Sequence, residues 1–225
     1  RALRRRARYR AVFTVARGCQ QRVWAGVARG GRAATNAGGP ATGAAGQVVM
    51  RAIGYGPNEP AQVVPLPQAR NYGYHWFMAT PRGAAAVRDD ARGFTRYLWD
   101  TWSPAGWYTE EEFAEAAQAF DNPDWAAVVL HSYRHRWGFE PGDPAYAQDG
   151  ARLTPAPRLA VPTLVLHGGA DTCNQPASSE GKSHYFSGGY ERRVLDGVGH
   201  FPQREAPQAV AAAILNFVAN PPARG

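Results

Sequence analysis

Residues 161 to 167, VPTLVLH, form a short continuous apolar run of the kind that a strand buried on both faces requires. Residues 193 to 195, RVL, offer a second and shorter one. From 207 to 218 the period changes, and apolar residues recur at helical spacing, which predicts a helix with Val210, Ile214, Leu215 and Val218 on one face. Strand, loop, strand and helix in that order are the grammar of an open α/β sheet. Upstream, residues 48 to 53, VVMRAI, predict a strand closed by Gly54-Tyr55-Gly56-Pro57, and residues 11 to 15, AVFTV, a weaker one.

Between these halves, residues 71 to 138 are dense in aromatics and carry helix signals. Thr109 followed by Glu112 is a capping box. Asn122-Pro123 predicts an N-cap and a first helical position, with Trp125, Val128, Val129 and Tyr133 at helical spacing behind it. Residues 84 to 99 predict one further helix, so that three or four helices make up a block of their own. Residues 142 to 157 have the composition of a linker. The expected division is a basic arm over 1–47, a core strand and the approach to the helical block over 48–70, that block over 71–150, and an α/β core over 151–225.

Composition changes this picture at one end. The 225-residue chain carries a net charge of +7, yet its first 58 residues hold eleven Arg and no acid, and the rest is net acidic. Such an arm can attract an anionic partner. No nucleic-acid reader motif accompanies it, and nucleic acid is not an expected partner. No apolar run approaches the roughly 20 residues that span a bilayer, so no membrane is expected either. Cys19 and Cys173 are the two cysteines; a disulfide framework is not expected, and a reducing cytoplasm is the expected compartment.

Chemistry concentrates at the ends of the late strands. The first is followed by Gly168-Gly169-Ala170-Asp171, the second by Gly197-Val198-Gly199-His200-Phe201-Pro202. Ligands gather at the carboxyl ends of strands in open α/β sheets, and a histidine working on protons needs a carboxylate to hold its tautomer. Gly197 and Gly199 are expected to let the chain turn so that His200 enters the site. Near the other end, Gly26-Val27-Ala28-Arg29-Gly30 has the outline of a nucleophile elbow, with a methyl group where the nucleophile belongs. Cys19 lacks the second glycine of such an elbow. His131 and His135 lie four apart, but without an acidic or thiol partner at a useful spacing they do not predict a metal site.

VPTLVLHGGADTCNQP followed by RRVLDGVGHFPQREAP resembles the C-terminal third of the α/β-hydrolase fold family, and the chain order elbow, acid, His is that of the same family. The helical block resembles the cap of the epoxide hydrolase and haloalkane or haloacetate dehalogenase branch, through NYGYHWFMATPRG and LHSYRHRWG. The likeness covers about residues 48 to 218 and reaches the elbow more weakly, where the family's Gly-His-Asp-Trp-Gly has become Gly26-Val27-Ala28-Arg29-Gly30. The resemblance implies an α/β-hydrolase fold with an incomplete parallel sheet and a mainly helical cap. It implies Asp171 and His200 as acid and base, Tyr74 and Tyr133 as donors to an epoxide oxygen, and His75 and Trp76 as analogues of halide-binding residues.

The activity implied is hydrolysis of epoxides or carbon–halogen bonds through a covalent Asp ester and His-activated water, with no cofactor or metal and a small apolar substrate. With Ala28 at the elbow, and too few residues upstream for the family's early strands and oxyanion loop, the expectation is a truncated, inactive hydrolase relative. The alternative is a non-catalytic binder of small ligands. Whether epoxide or halide is the substrate, and the oligomeric state, stay open.

Overall fold

Four strands hydrogen-bond in the order β1-β2-β3-β4, all parallel, in a computed structural model that describes residues 12–13, 47–49, 64–148, 151 and 159–222. They are β1 (Val12–Phe13), β2 (Gln47–Val49), β3 (Thr163–Gly168) and β4 (Tyr190–Leu195). Val12 faces Gln47, Gln47 faces Thr163, and Thr163 faces Tyr190. β2 is the strand expected from 48 to 53, begun one residue earlier; the rest of that expected strand lies outside the described residues. So do the elbow at 26 to 30, with Ala28, and Cys19.

Every residue of β3 is buried, as its unbroken apolar run requires. The last two helices are α7 (Pro202–Glu205) and α8 (Pro207–Ala219). α8 lays Val210, Ala213 and Phe217 on Leu164 and Leu166, with Ile214 and Leu195 at the margin. This corrects the expected face: Leu215 is 70% exposed, and the inward stripe runs 210, 213, 214, 217. Phe217 and the small Ala213 fit the surface of β3, which a count of large aliphatic side chains overlooks.

The middle block holds more helices than expected. They are α1 (Leu66–Asn71), α2 (Gly73–Ala79), α3 (Pro81–Asp89), α4 (Ala91–Trp102), α5 (Glu110–Ala117) and α6 (Trp125–Arg136). Helical structure thus begins at Leu66, ahead of the expected boundary at 71. The single helix expected over 84 to 99 is two. Asp90 ends α3 in a non-helical conformation and starts α4, its carboxylate accepting from the Gly93 amide at 2.7 Å. The capping box is present in full, with Thr109 and Glu112 each bonding the other's backbone N–H. α6 starts at Trp125 rather than beside Pro123, because the Asn122 side chain accepts from the Asp124 amide and closes a turn ahead of the helix.

Two apolar clusters fill the block. One joins Leu98, Trp99, Trp102, Phe113 and Ala117 to Cys173 and Phe201 of the sheet loops. The other joins Met78, Ala84, Val87, Trp125, Leu130 and Tyr133. The block therefore packs onto the loops at the carboxyl ends of β3 and β4. Among the described residues no helix is long and apolar enough to cross a membrane.

Candidate active site

The two loops after β3 and β4 are stitched together before any side chain meets. Gly169 N donates to Leu195 O at 2.8 Å, and Ala170 N to Val198 O at 2.8 Å. A Cβ on Gly168 would sit 1.9 Å from Gly199 O, so the strand end tolerates only glycine against the second loop. Gly197 takes a φ of 70°, the left-handed turn expected of it. Gly199 plays a different part: a Cβ there would lie 2.4 Å from Ser103 Oγ, so its role is close approach rather than turning.

This framework brings Asp171 and His200 together. Nδ1 of His200 lies 2.9 Å from Asp171 Oδ2 and 3.0 Å from Oδ1, with both side chains about 1% exposed. A carboxylate only accepts, so Nδ1 carries the proton and the lone pair of the neutral ring is on Nε2. Asp171 Oδ1 also accepts from the amides of Cys173 and Asn174, each at 2.8 Å. Burial alone would push this carboxyl up. The neighbouring rings of His167 and His200, the latter hydrogen-bonded to it, and the Asn174 amide outweigh that and hold it well below the usual carboxylate range. His167 stands behind the acid, its Nε2 donating to Asn174 O at 2.9 Å and lying 3.6 Å from Asp171 Oδ2.

The helical block roofs the pair with aromatic rings. Trp102 lies 4.8 Å from the His200 ring and 5.1 Å from that of Tyr74, and Tyr74 stands edge-on to Tyr133 at 5.4 Å. Tyr74 Oη is 3.5 Å from Cys173 Sγ. His75 is buried among Tyr72, Tyr74, Tyr133 and Trp137 and accepts the Trp137 indole N–H on Nδ1 at 3.0 Å. Burial, and then the charge of Arg136, lower its pKa to about 3, so the ring is neutral with its proton on Nε2. That Nε2 has no hydrogen-bond partner among the described residues. Trp76 gives its indole N–H to Ala69 O at 3.2 Å, and its ring stands edge-on to that of His75 at 6.3 Å.

Two functional candidates, Cys173 and Ser103, were invisible to the motif, and a third, Glu205, was nearly so. Cys173 puts Sγ among the pair, with Sγ, a His200 ring nitrogen and an Asp171 oxygen all within 4.8 Å of one another. Those donor types suit a borderline metal ion; here the carboxylate oxygens are already committed to His200 and two backbone amides, the arrangement of an acid–base pair. Ser103 accepts the His200 amide, and Glu205 accepts the amides on either side of it. Glu205 was signalled only as an acid following the histidine loop, and Ser103 carried no signal. Around His131 and His135, Glu140 folds back so that its carboxylate bonds His131 Nδ1 at 3.0 Å and Arg134 at 2.8 Å, and its carbonyl meets His135 Nδ1 at 3.2 Å.

A parallel sheet, a terminal helix on one face, and an acid and a histidine converging at its carboxyl ends beneath a helical cap define the α/β-hydrolase fold, and this chain has it. Within that class the likenesses above 30% identity are to proteins named as epoxide hydrolases. A Klebsiella pneumoniae protein assigned as an epoxide hydrolase matches at 32% identity and a TM-score of 0.67, over 77% of this chain and 57% of that one. A haloalkane dehalogenase variant from Bradyrhizobium elkanii shares the fold at 19% identity and a TM-score of 0.56, over 77% of this chain and 58% of that one. Epoxide hydrolase A of Mycobacterium tuberculosis is 35% identical over 60 residues, 27% of this chain and 19% of that protein. The chain thus spans little more than half of the first structure and a fifth of the curated relative. No family model matches it.

Proposed function

We propose that the chain carries the acid–base half of a hydrolase for epoxides or carbon–halogen bonds, and that, with Ala28 where the resemblance puts the nucleophile, it does not turn such molecules over. The observation that supports this is the buried His200–Asp171 pair at 2.9 Å beneath Trp102. In the parent reaction an elbow carboxylate forms an ester at carbon as the C–O or C–halogen bond breaks. His200 then takes a proton from water, which attacks the ester, while Asp171 holds the imidazolium. Tyr74 and Tyr133 donate to the departing oxygen. No cofactor enters this scheme. Losing a nucleophile costs about 10⁴ to 10⁶ in rate.

The test uses a terminal epoxide and a haloacetate with the 225-residue chain. Diol and halide release, intact mass and quenching of tryptophan fluorescence are followed for the chain and for His200→Ala. No His200-dependent release of diol or halide is the expected result, and saturable quenching without release would favour the second reading below. Hydrolysis that His200→Ala abolishes would overturn the silent reading, and an adduct mapped to Cys173 would name the thiol as nucleophile.

The second reading is a non-catalytic binder of small apolar ligands. It is favoured by the Nε2–H of His75, which has no hydrogen-bond partner among the described residues, within a wall of aromatic rings. It predicts binding that survives His200→Ala and is lost in Tyr133→Ala.

A further inference from the structure

The end of α4 touches both loops of the pair. The Thr101 carbonyl accepts from the Thr172 hydroxyl, and the Trp102 carbonyl from the Thr172 amide at 3.3 Å. Thr172 adjoins Asp171. One residue on, Ser103 Oγ accepts the amide of His200 itself at 2.8 Å and donates to Glu205 Oε1 at 2.7 Å. Glu205 takes the two flanking amides, Gly199 N at 2.5 Å on Oε2 and Phe201 N at 2.8 Å on Oε1. Three consecutive peptide N–H groups thus end on one serine–glutamate unit.

The polarity of this unit is fixed by its chemistry. A carboxylate only accepts, so the single Ser103 proton goes to Glu205 and the hydroxyl lone pairs face the His200 amide. Gly199 lets the serine approach closely, since any Cβ there would collide with Ser103. We propose that Ser103, acting with Glu205, is a positioning residue for His200, and that through it the pairing of His200 with Asp171 depends on docking of the helical block. The inference rests on the reading of Asp171 and His200 as an acid–base pair. It adds that the base takes its position partly from the cap: if the end of α4 lifts away, the His200 peptide loses its acceptor, and the imidazole loses its register with the acid.

The test is NMR of the ¹⁵N-histidine-labelled 225-residue chain, reading the Nδ1 proton of His200 and its exchange with water. In Asp171→Asn the downfield signal of that proton should move or vanish; if it does not, the pair itself is wrong, whatever Ser103 does. Ser103→Ala and Glu205→Gln should each speed its exchange by about tenfold or more through local opening, and Ser103→Thr, which keeps the hydroxyl, should restore it. Arg92→Ala, which removes an exposed ion pair to Asp121 at the opposite end of α4, should leave it unchanged. Exchange at the original rate in both Ser103→Ala and Glu205→Gln, with the Asp171→Asn response intact, would overturn the inference.

Discussion

Asp171 and His75 are both buried, and their charges are treated oppositely. The acid keeps its charge because hydrogen-bond donors surround it; the histidine loses its charge because burial and Arg136 oppose it. Both pKa values are lowered, so both groups bind protons more readily in the unfolded chain, and each makes stability fall as pH falls. For His75 the loss begins near its ordinary value of 6.5 and ends near 3. Urea midpoints should therefore decline between pH 7 and pH 4.5, and His75→Phe should flatten that limb even though it strands the Trp137 indole. For Asp171 the loss begins only below about 4, the ordinary carboxylate value; Asp171→Asn should remove a separate limb at lower pH. Asp171 and His200 were legible in the sequence because glycines and strand ends fix where such side chains must stand. The tautomer of His75 was not, since its partner, Trp137, lies beyond the reach of any local pattern.

At the scale of elements, what the sequence revealed depended on whether the signal was local. The capping box at Thr109 depends on neighbours three residues apart, and it forms as expected. The break at Asp90 was local too, an N-capping acid with a glycine three residues on, but it lay inside a longer periodic run that suggested continuity. Asp90→Ala should cost about 1 kcal/mol in urea unfolding, the usual value of a lost N-cap. The phase of α8 was not local, because the strand beneath chooses it. Phe217→Ala should cost about 3–5 kcal/mol by opening a cavity over Leu164 and Leu166. Leu215→Ser, on the exposed side, should fall within about 0.5 kcal/mol of the starting chain. Equal costs for the two would mean that α8 presents the face that periodicity alone predicts.

At the scale of the whole molecule, two kinds of tie hold the helical block to the sheet loops. One is exposed: Arg204 of α7 bonds Glu112 of α5 at 2.6 Å, with the two side chains 35% and 42% exposed. The other is buried. Gln68 of α1 donates to Cys173 O at 2.7 Å and accepts from Gln175 N at 3.0 Å, so one amide side chain closes two backbone groups of the loop that carries Asp171. An exposed ion pair gains little over hydration, and Arg204→Ala should cost under about 1 kcal/mol. Gln68→Ala leaves a carbonyl and an amide without their partners, and should cost about 1–3 kcal/mol. If block and sheet unfold as one unit, each variant shifts a single urea transition followed by tryptophan fluorescence, because the block's tryptophans lose their surroundings as Cys173 and Phe201 lose theirs. If Gln68→Ala instead splits the transition in two, the buried tie is what makes the cap and the loops beneath it one cooperative body. The acid loop then depends on α1 for its order much as the base loop depends on the end of α4.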